Sequence, residues 1–137
     1  MDEKQIVCDT DVIIDYWDQA KPRHLEAKNI VENRIGLSNV VLSGITKMEL
    51  ILGALNKSEL IKIKKSSSHF SVILVNNEIN QKAMSLLEQY TLSHNLALPD
   101  SLIAATAICA DLELFTYNIR DYKYIKGIRL MEIPKSI

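Results

Sequence analysis

Short apolar runs alternate along the chain with longer amphipathic segments, which is the pattern of strands separated by helices. The apolar runs predict strands at 5–8, 40–42, 70–75, 112–116 and 129–133. Apolar residues at helical spacing predict helices at 12–17, 22–33, 45–55, 58–65 and 79–90, and one that begins at Pro99. Asp11 is predicted at or near the N-cap of the first helix, and Gly36 after the end of the second.

Two of the predicted helices have informative side chains. In the third helix an apolar stripe at positions i, i+3, i+4 and i+7 leaves Glu49 to one side, with open space at Gly53 on the same face. The members of this stripe are Met48, Ile51, Leu52 and Leu55. In the last helix Pro99 takes the first position, Asp100 lies in the first turn, and several alanines allow close approach to a sheet.

Strands that alternate with helices predict an α/β fold, in which a parallel sheet is covered by helices on both faces. We therefore expect a three-layer α/β/α sandwich with a parallel sheet of about five strands. A chain of 137 residues has the size of one domain, so residues 1–137 are predicted to form a single unit.

Composition limits the class of protein and its expected location in the cell. The chain is 47% apolar and 24% charged, with a net charge of −1, which is typical of a globular protein with a real core. The start of the chain lacks the pattern of a secretory signal, and no apolar run is long enough to cross a bilayer. Cys8 and Cys109 stand in apolar surroundings and are interpreted as buried free thiols. We expect a cytoplasmic protein without membrane contact.

Four acidic residues stand where the chain leaves or re-enters a hydrophobic segment: Asp9, Glu49, Asp100 and Asp121. Acids that follow buried strands lie at the edge where an open α/β sheet builds its ligand site. Carboxylates that converge there from distant segments would form an oxygen-rich site suited to Mg²⁺ or Mn²⁺. Such a site predicts metal-assisted hydrolysis of phosphodiesters.

Each acid also has an ordinary interpretation, because the chain contains 17 of them. Asp100 could serve only as a helix-start residue, Asp121 could stabilise a loop, and Asp15 fits a solvated position on the first helix. Asp9 and Glu49 interrupt apolar segments and are harder to explain in this way.

Four segments in order resemble the motifs of PIN-domain ribonucleases, and especially of the VapC-type toxins of toxin–antitoxin pairs. They are 7–15 around Asp9, 43–53 around Glu49, 98–107 around Asp100, and 114–122 with Thr116, Asn118 and Asp121 followed by an aromatic residue. Any one of these segments is a weak signal, and all four in this order and spacing are a strong one.

The resemblance implies roles for the matching positions. Asp9, Glu49, Asp100 and Asp121 would form the catalytic acidic pocket, a name that we keep for these four residues. Asp9 and Asp100 would bind Mg²⁺ or Mn²⁺ directly, while Glu49 and Asp121 would bind a second ion or hold a water. Supporting hydroxyl and amide groups would come from Thr10, Thr116 and Asn118.

The resemblance also implies partners. The expected activity is that of a metal-dependent endoribonuclease, a hydrolase whose RNA substrate contacts Arg120, Lys123 and Lys126 through its phosphates. A cognate antitoxin would insert a helix into a groove, with a basic side chain in the acidic pocket, and a homodimer is expected.

Two other functions fit parts of the sequence. The segment from Asp9 to Val12 also matches the opening motif of haloacid-dehalogenase-like phosphatases, in which the first Asp is a nucleophile, although no late pair of adjacent acids follows. A catalytically silent PIN-like binding module is the second alternative. Four retained like charges argue against it, because they repel one another without serving a function.

Overall fold

The computed structural model describes residues 4–134. Four parallel strands form one sheet in the order β3-β2-β1-β4. The strands are β1 (Ile6–Cys8), β2 (Val40–Ser43), β3 (Ser71–Ile73) and β4 (Glu113–Phe115). The helices are α1 (Thr10–Trp17), α2 (His24–Asn29), α3 (Gly44–Leu52), α4 (Lys57–Ser67), α5 (Asn77–His94) and α6 (Leu98–Ala110). The helix α2 continues as a π-helical turn over Ile30–Ile35, and Gly36 ends it at a φ of +87°.

Successive side chains of each strand enter two separate cores. Val7, Val41 and Leu114 pack on α5 and α6. Their strand neighbours Ile6, Cys8, Val40, Leu42 and Phe115 pack with α1 and the π-helical turn on the other face. The predicted three-layer α/β/α sandwich is therefore confirmed, and both faces of the short strands are covered as in other parallel sheets.

The predicted fifth strand at 129–133 is reduced to a single bridge. The Leu114 N–H donates to the Arg129 carbonyl and the Met131 N–H donates to the Leu114 carbonyl, each at 2.8 Å. Leu130 thus pairs in parallel with Leu114 beside β4, but no further pairing extends this contact within residues 4–134. The prediction of about five strands was one too many.

Helix α6 approaches the sheet closely, as its alanines predict. Ala104, Ala105 and Ala107 are fully buried, and the Thr106 hydroxyl lies 3.0 Å from Ser43 Oγ at the end of β2. Gly44 makes a second close approach, since a Cβ there would stand 3.4 Å from the Val75 nitrogen. These contacts hold the second half of α6 and the start of α3 against the edge of the sheet where the strands end.

The apolar stripe predicted for the third helix is largely exposed. Leu52 and Leu55 are 84% and 86% exposed, and Met48 and Ile51 also face solvent. The buried residues of α3 are instead Gly44, Thr46 and Leu50. None of the helices between residues 4 and 134 combines the length and apolar character that a bilayer crossing requires.

Candidate active site

The candidate site lies where the order of the strands reverses. The chain runs outward from β1 to β2 and β3 and then returns to the other side of β1 with β4. The carboxyl ends of β1 and β4 are therefore neighbours, and the Asp9 N–H donates to the Phe115 carbonyl at 2.9 Å. In an open parallel sheet such a reversal leaves a crevice at the strand ends, which is a common location for a ligand site.

Asp9 follows β1 directly and is the N-cap of α1. Its Oδ1 accepts a hydrogen bond from the Thr10 N–H at 2.8 Å, and its Oδ2 accepts one from the Thr116 hydroxyl at 2.7 Å. The side chain is buried, and the amino end of α1 favours its negative charge. The N-cap was expected at or near Asp11, two residues later, because a cap at the very end of a strand has no separate sequence signal.

Glu49 reaches the same region from α3. The Thr10 hydroxyl donates to Glu49 Oε1 at 2.7 Å and lies 3.1 Å from Thr46 Oγ1. Thr10 therefore connects the first residue of α1 with α3, across 39 positions of sequence. This contact fixes one oxygen of Glu49 and leaves the other available.

Asp100 enters the site from the first turn of α6 and meets a side chain that the sequence did not single out. Helix α6 begins at Leu98, with Ala97 as N-cap, so Pro99 occupies its second position and not the first. The hydroxyl of Tyr122, a fully buried residue, donates to Asp100 Oδ1 at 3.1 Å. A buried phenol needs a partner for its O–H, and here the partner is a carboxylate of the acidic pocket.

Neighbouring negative charges perturb the two central acids, Asp9 and Asp100. Burial and then the charge of Asp11 raise the pKa of Asp9 to about 6, while hydrogen bonds from Thr116, Thr10 and Tyr122 oppose the shift. Burial, then the charge of Asp9, and less strongly the charges of Asp121 and Glu49 raise the pKa of Asp100 to about 6, while the hydrogen bond from Tyr122 opposes the shift. The pKa of Asp100 is thus raised by the charges of all three other members of the acidic pocket.

Tyr122 stands between the two most perturbed carboxylates. Burial, followed by the charges of Asp9 and Asp100, raises the pKa of Tyr122 far above its ordinary value, so the phenol keeps its proton. The retained O–H donates to Asp100, and the Tyr122 hydroxyl lowers the pKa of both Asp100 and the neighbouring Asp9. Only its position directly after the fourth acid could have indicated this contact from the sequence.

The remaining predicted residues lie on the segment after β4. Asp121 is exposed at the end of a 3₁₀ turn, Ile119–Asp121, and its negative charge helps to raise the pKa of Asp100. The Asn118 backbone N–H donates to Thr116 Oγ1 at 3.0 Å, while its side chain is exposed. The three basic residues Arg120, Lys123 and Lys126 are all exposed near Asp121 in sequence.

A second cluster behind Asp9 was not predicted as a unit. Asp15 was expected to be solvated, but it is buried and pairs with Arg23 Nε at 2.8 Å. The Arg23 guanidinium also stacks 4.2 Å from the centre of the Tyr117 ring. Asp11 Oδ2 accepts the Tyr117 N–H at 3.1 Å, and its buried Oδ1 has no hydrogen-bond partner within the described residues. Asp15 and Arg23 are eight positions apart, with the end of α1 and a turn between them, so helical spacing gave no signal of this pair.

The donor set fits a hard divalent cation by its chemistry. Asp9 and Asp100 are carboxylates whose raised pKa values reflect burial and uncompensated neighbouring charge, and a cation would relieve both costs. Within residues 4–134, however, no three acidic, histidine or cysteine side chains stand close enough together to coordinate an ion as they are. Side-chain rotation at Asp100, Glu49 or Asp121 would be needed to complete a coordination sphere.

A cleft of about 620 Å³ adjoins the acidic pocket between α1, α3 and α4. Its apolar lining includes Ile14, Trp17 and Leu50, and its charged lining includes Glu49 and Lys62. Gly53 also borders the cleft, in agreement with the open space predicted beside Glu49. The prediction that Cys8 and Cys109 are buried free thiols is confirmed in part. Both are free, but Cys8 is buried and Cys109 is partly exposed.

Comparison with known families identifies one model that matches, the PIN domain, over residues 6–127. The matched segment contains all four members of the acidic pocket. No curated protein sequence matches the chain significantly.

Several solved protein structures are similar in fold to this chain. A toxin–antitoxin complex from Klebsiella pneumoniae contains a chain with 31% identity and a TM-score of 0.73, with 90% of this chain and 95% of that chain covered. VapBC2 from Rickettsia felis, bound to a DNA fragment from its promoter, is 22% identical with a TM-score of 0.71, covering 92% and 96%. VapC20 from Mycobacterium tuberculosis, described as a sarcin–ricin loop cleaving toxin, is 15% identical with a TM-score of 0.68, covering 91% and 99%.

Proposed function

Because the chain belongs to the PIN-domain family, we propose that it is a Mg²⁺- or Mn²⁺-dependent endoribonuclease that acts as the toxin of a toxin–antitoxin pair. The observation that carries this proposal is the meeting of Asp9 and Asp100 at the strand ends. Their pKa values are both raised to about 6, and the charged groups that act on Asp100 are three other carboxylates.

In this proposal Asp9 and Asp100 hold the cation, which when bound polarises the phosphoryl group and acidifies water. The contacts of Asp9 with Thr116 and Thr10 fix the orientation of its carboxylate, and Tyr122 does the same for Asp100. Glu49, held by Thr10, and Asp121 orient the attacking water. Water adds to phosphorus, the bond from phosphorus to the leaving sugar oxygen breaks, and that oxygen takes up a proton.

RNA is the proposed substrate, and its phosphates are expected to contact the exposed side chains of Arg120, Lys123 and Lys126. These cations flank Asp121, so they offset the repulsion between a polyanion and an acidic pocket. The described activity of the M. tuberculosis relative on the sarcin–ricin loop supports a structured RNA as the first substrate to test.

The cleft between α1, α3 and α4 is the proposed site for the antitoxin. Several of the solved relatives are complexes of a toxin with its antitoxin. The cleft offers apolar side chains for one face of a helix, and Glu49 at its border offers a partner for a basic side chain. An antitoxin bound in this way would neutralise one acid of the pocket and block access to the others. A homodimer, expected from the same family resemblance, is tested by measuring the molar mass in solution.

The family match sets aside the haloacid-dehalogenase-like alternative, since the PIN model covers residues 6–127. The silent binding module remains the competing hypothesis, and cleavage decides between the two. Purified antitoxin-free protein is expected to cut structured RNA with Mn²⁺ or Mg²⁺ and to stop in EDTA. Asp100→Asn is expected to lower the rate by at least about 100-fold, because it removes one charged ligand of the cation.

The matched control is Asp111→Asn, which makes the same change at an exposed acid. Asp111 precedes β4 and so lies at the amino ends of the strands, away from the acidic pocket. This control should cleave at the rate of the unmodified protein. Undiminished cleavage in EDTA would rule out the metal mechanism. A protein that binds its antitoxin but cuts no RNA would instead be a silent module.

A further inference from the structure

Three aromatic rings form a stack that leads from the core to the surface beside the acidic pocket. Tyr90 on α5 is buried, and the Tyr124 ring packs edge-on against it with 5.1 Å between the ring centres. The exposed His94 ring lies nearly parallel to Tyr124, at 4.0 Å and 10°. We call Tyr90, His94 and Tyr124 the aromatic stack.

The aromatic stack is held in place by contacts outside the rings. The Tyr90 hydroxyl accepts the Lys126 N–H at 3.0 Å, and His94 Nδ1 lies 2.8 Å from Ser93 Oγ. Tyr90 and His94 lie one turn apart on α5, and their rings meet edge to face at 5.8 Å. A surface that is already ordered loses little conformational entropy when it binds a ligand.

The position of the aromatic stack connects it with the acidic pocket. Tyr124 follows Asp121 by three residues, and after burial the charges of Asp100 and Asp121 are the next causes that raise the pKa of Tyr124. Lys123 and Lys126, both exposed, stand on either side of Tyr124 in the sequence. The segment that carries Tyr124 therefore combines an aromatic ring with two exposed cations, and it follows Asp121 of the acidic pocket.

This combination is typical of proteins that bind single-stranded nucleic acids, where cations follow the backbone and aromatic rings stack on bases. We propose that the aromatic stack binds an unpaired nucleobase of the RNA, adjacent to the phosphate that is cleaved, with His94 as the stacking face and Tyr124 as its support. The proposal rests on the ribonuclease function proposed above. It assigns a base-binding role to the C-terminal end of α5, which none of the four acidic motifs contains.

The test uses a short RNA oligonucleotide that carries the cleavage site mapped by sequencing RNA after induction. His94→Ala is expected to raise KM about tenfold while kcat changes less than twofold, since stacking binds the ground and transition states alike. His94→Phe keeps a ring and should restore the KM. The matched control is His69→Ala. His69 is an exposed histidine just before β3, at the amino end of that strand, and this variant should have the KM of the unmodified protein.

A second arm removes the base from the RNA. Abasic substitution at one nucleotide flanking the cut should raise the KM of the unmodified protein by a similar factor, and should add little to the effect of His94→Ala. Equal effects of His94→Ala on intact and on every abasic RNA would overturn the proposal and indicate a contact with protein. An unchanged KM in His94→Ala would overturn it too, while the proposed ribonuclease would stand. Absence of any RNA cleavage by the unmodified protein would end both proposals.

Discussion

Asp9 uses the same two oxygens for structure and for the proposed chemistry. As the N-cap of α1 it accepts the Thr10 N–H, and across the sheet it accepts the Thr116 hydroxyl. Replacement by Ala would remove both contacts, and loss of the cap alone costs about 1 kcal/mol. Asn keeps the shape and an acceptor oxygen while it removes the charge, so Asp9→Asn tests the proposed chemistry more cleanly.

The contact between Tyr122 and Asp100 leads to a prediction at the scale of one hydroxyl group. Tyr122→Phe should leave the fold intact, because the ring still fills the core. It should weaken Mn²⁺ binding about tenfold, since loss of an outer hydrogen bond to a metal ligand has an effect of about this size. Isothermal titration calorimetry of Mn²⁺ measures the change directly.

Tyr16→Phe is the matched control for Tyr122→Phe. The Tyr16 hydroxyl also donates to a carboxylate, Glu32 Oε2 at 2.8 Å, but outside the acidic pocket. The control should bind Mn²⁺ as the unmodified protein does. Equal affinities for all three proteins would show that Tyr122 only fills space.

At the residue scale the sequence could indicate the acids but not their surroundings. Asp9 and Glu49 were recognisable because each interrupts an apolar segment. Tyr122 and Asp15 depend on partners that only the folded chain supplies, Asp100 in one case and Arg23 in the other. Residue type alone does not separate a buried paired acid from a solvated one, which is why the interpretation of Asp15 was wrong.

At the scale of elements, α3 shows how periodicity can mislead. Its apolar residues have helical spacing, so the prediction of a helix was correct, but the core lies on another side. Thr46 and Leu50 face inward because Gly44 brings the start of the helix close to the segment after β3. A pattern of spacing specifies a helix and an apolar side, but it does not specify what that side meets.

The exposed stripe of α3 gives a prediction about stability. Leu50→Ala should lower the free energy of unfolding by about 2–5 kcal/mol, because it empties a buried site. Leu52→Ala should change it by less than about 0.5 kcal/mol, because Leu52 is exposed. Urea unfolding followed by circular dichroism measures both values on one helix.

Similar losses for the two variants would mean that Leu52 is buried in solution, as it would be in an assembly of copies. Repeating the measurement over a range of protein concentrations separates these cases. A loss that grows with concentration for Leu52→Ala identifies an interface, and a constant loss would contradict its placement on the surface of α3.

The sheet was predictable in type and direction but not in extent. Short β-rich runs between helices indicated parallel strands, and four of five formed. The fifth run, at 129–133, has the composition of a strand, yet it keeps only the bridge at Leu130. Pro134 follows and has no N–H, so it cannot donate to a neighbouring strand. Strand composition therefore overestimates pairing at the edge of a sheet, where a neighbour exists on one side only.

At the scale of the whole molecule, the carboxylates at the strand ends make stability depend on pH. Asp9 and Asp100 have pKa values near 6 in the folded protein, above the value of about 4 for an unfolded chain. A group of this kind binds protons more tightly when folded. The stabilisation due to protonation is therefore complete below pH 4 and is lost as the pH rises through 6.

For protein in EDTA we expect a Tm at pH 5.5 that is higher by about 3–6 °C than at pH 7.5. Mn²⁺ should raise the Tm at pH 7.5 more than at pH 5.5, because a cation competes with protons for the same oxygens. Scanning calorimetry provides both comparisons. Asp100→Asn should reduce the difference between the two pH values, and Asp111→Asn should not. A Tm in EDTA that does not change between these pH values would contradict the raised pKa values of Asp9 and Asp100.

The hydrogen bond between Asp9 and Thr116 joins residues 107 positions apart, and Asp100 and Tyr122 also belong to the later part of the chain. A ribosome that has passed Asp100 but has not yet reached Thr116 has therefore synthesised Asp9, Glu49 and Asp100 without Thr116 and Tyr122, the residues that donate hydrogen bonds to Asp9 and Asp100. Under the proposed function, the nascent polypeptide should be harmless until Tyr122 has been added, and a stop codon before Thr116 should leave a product without nuclease activity. A cell that makes the proposed toxin would thus have the time of synthesis up to Tyr122 in which to assemble an inhibitor.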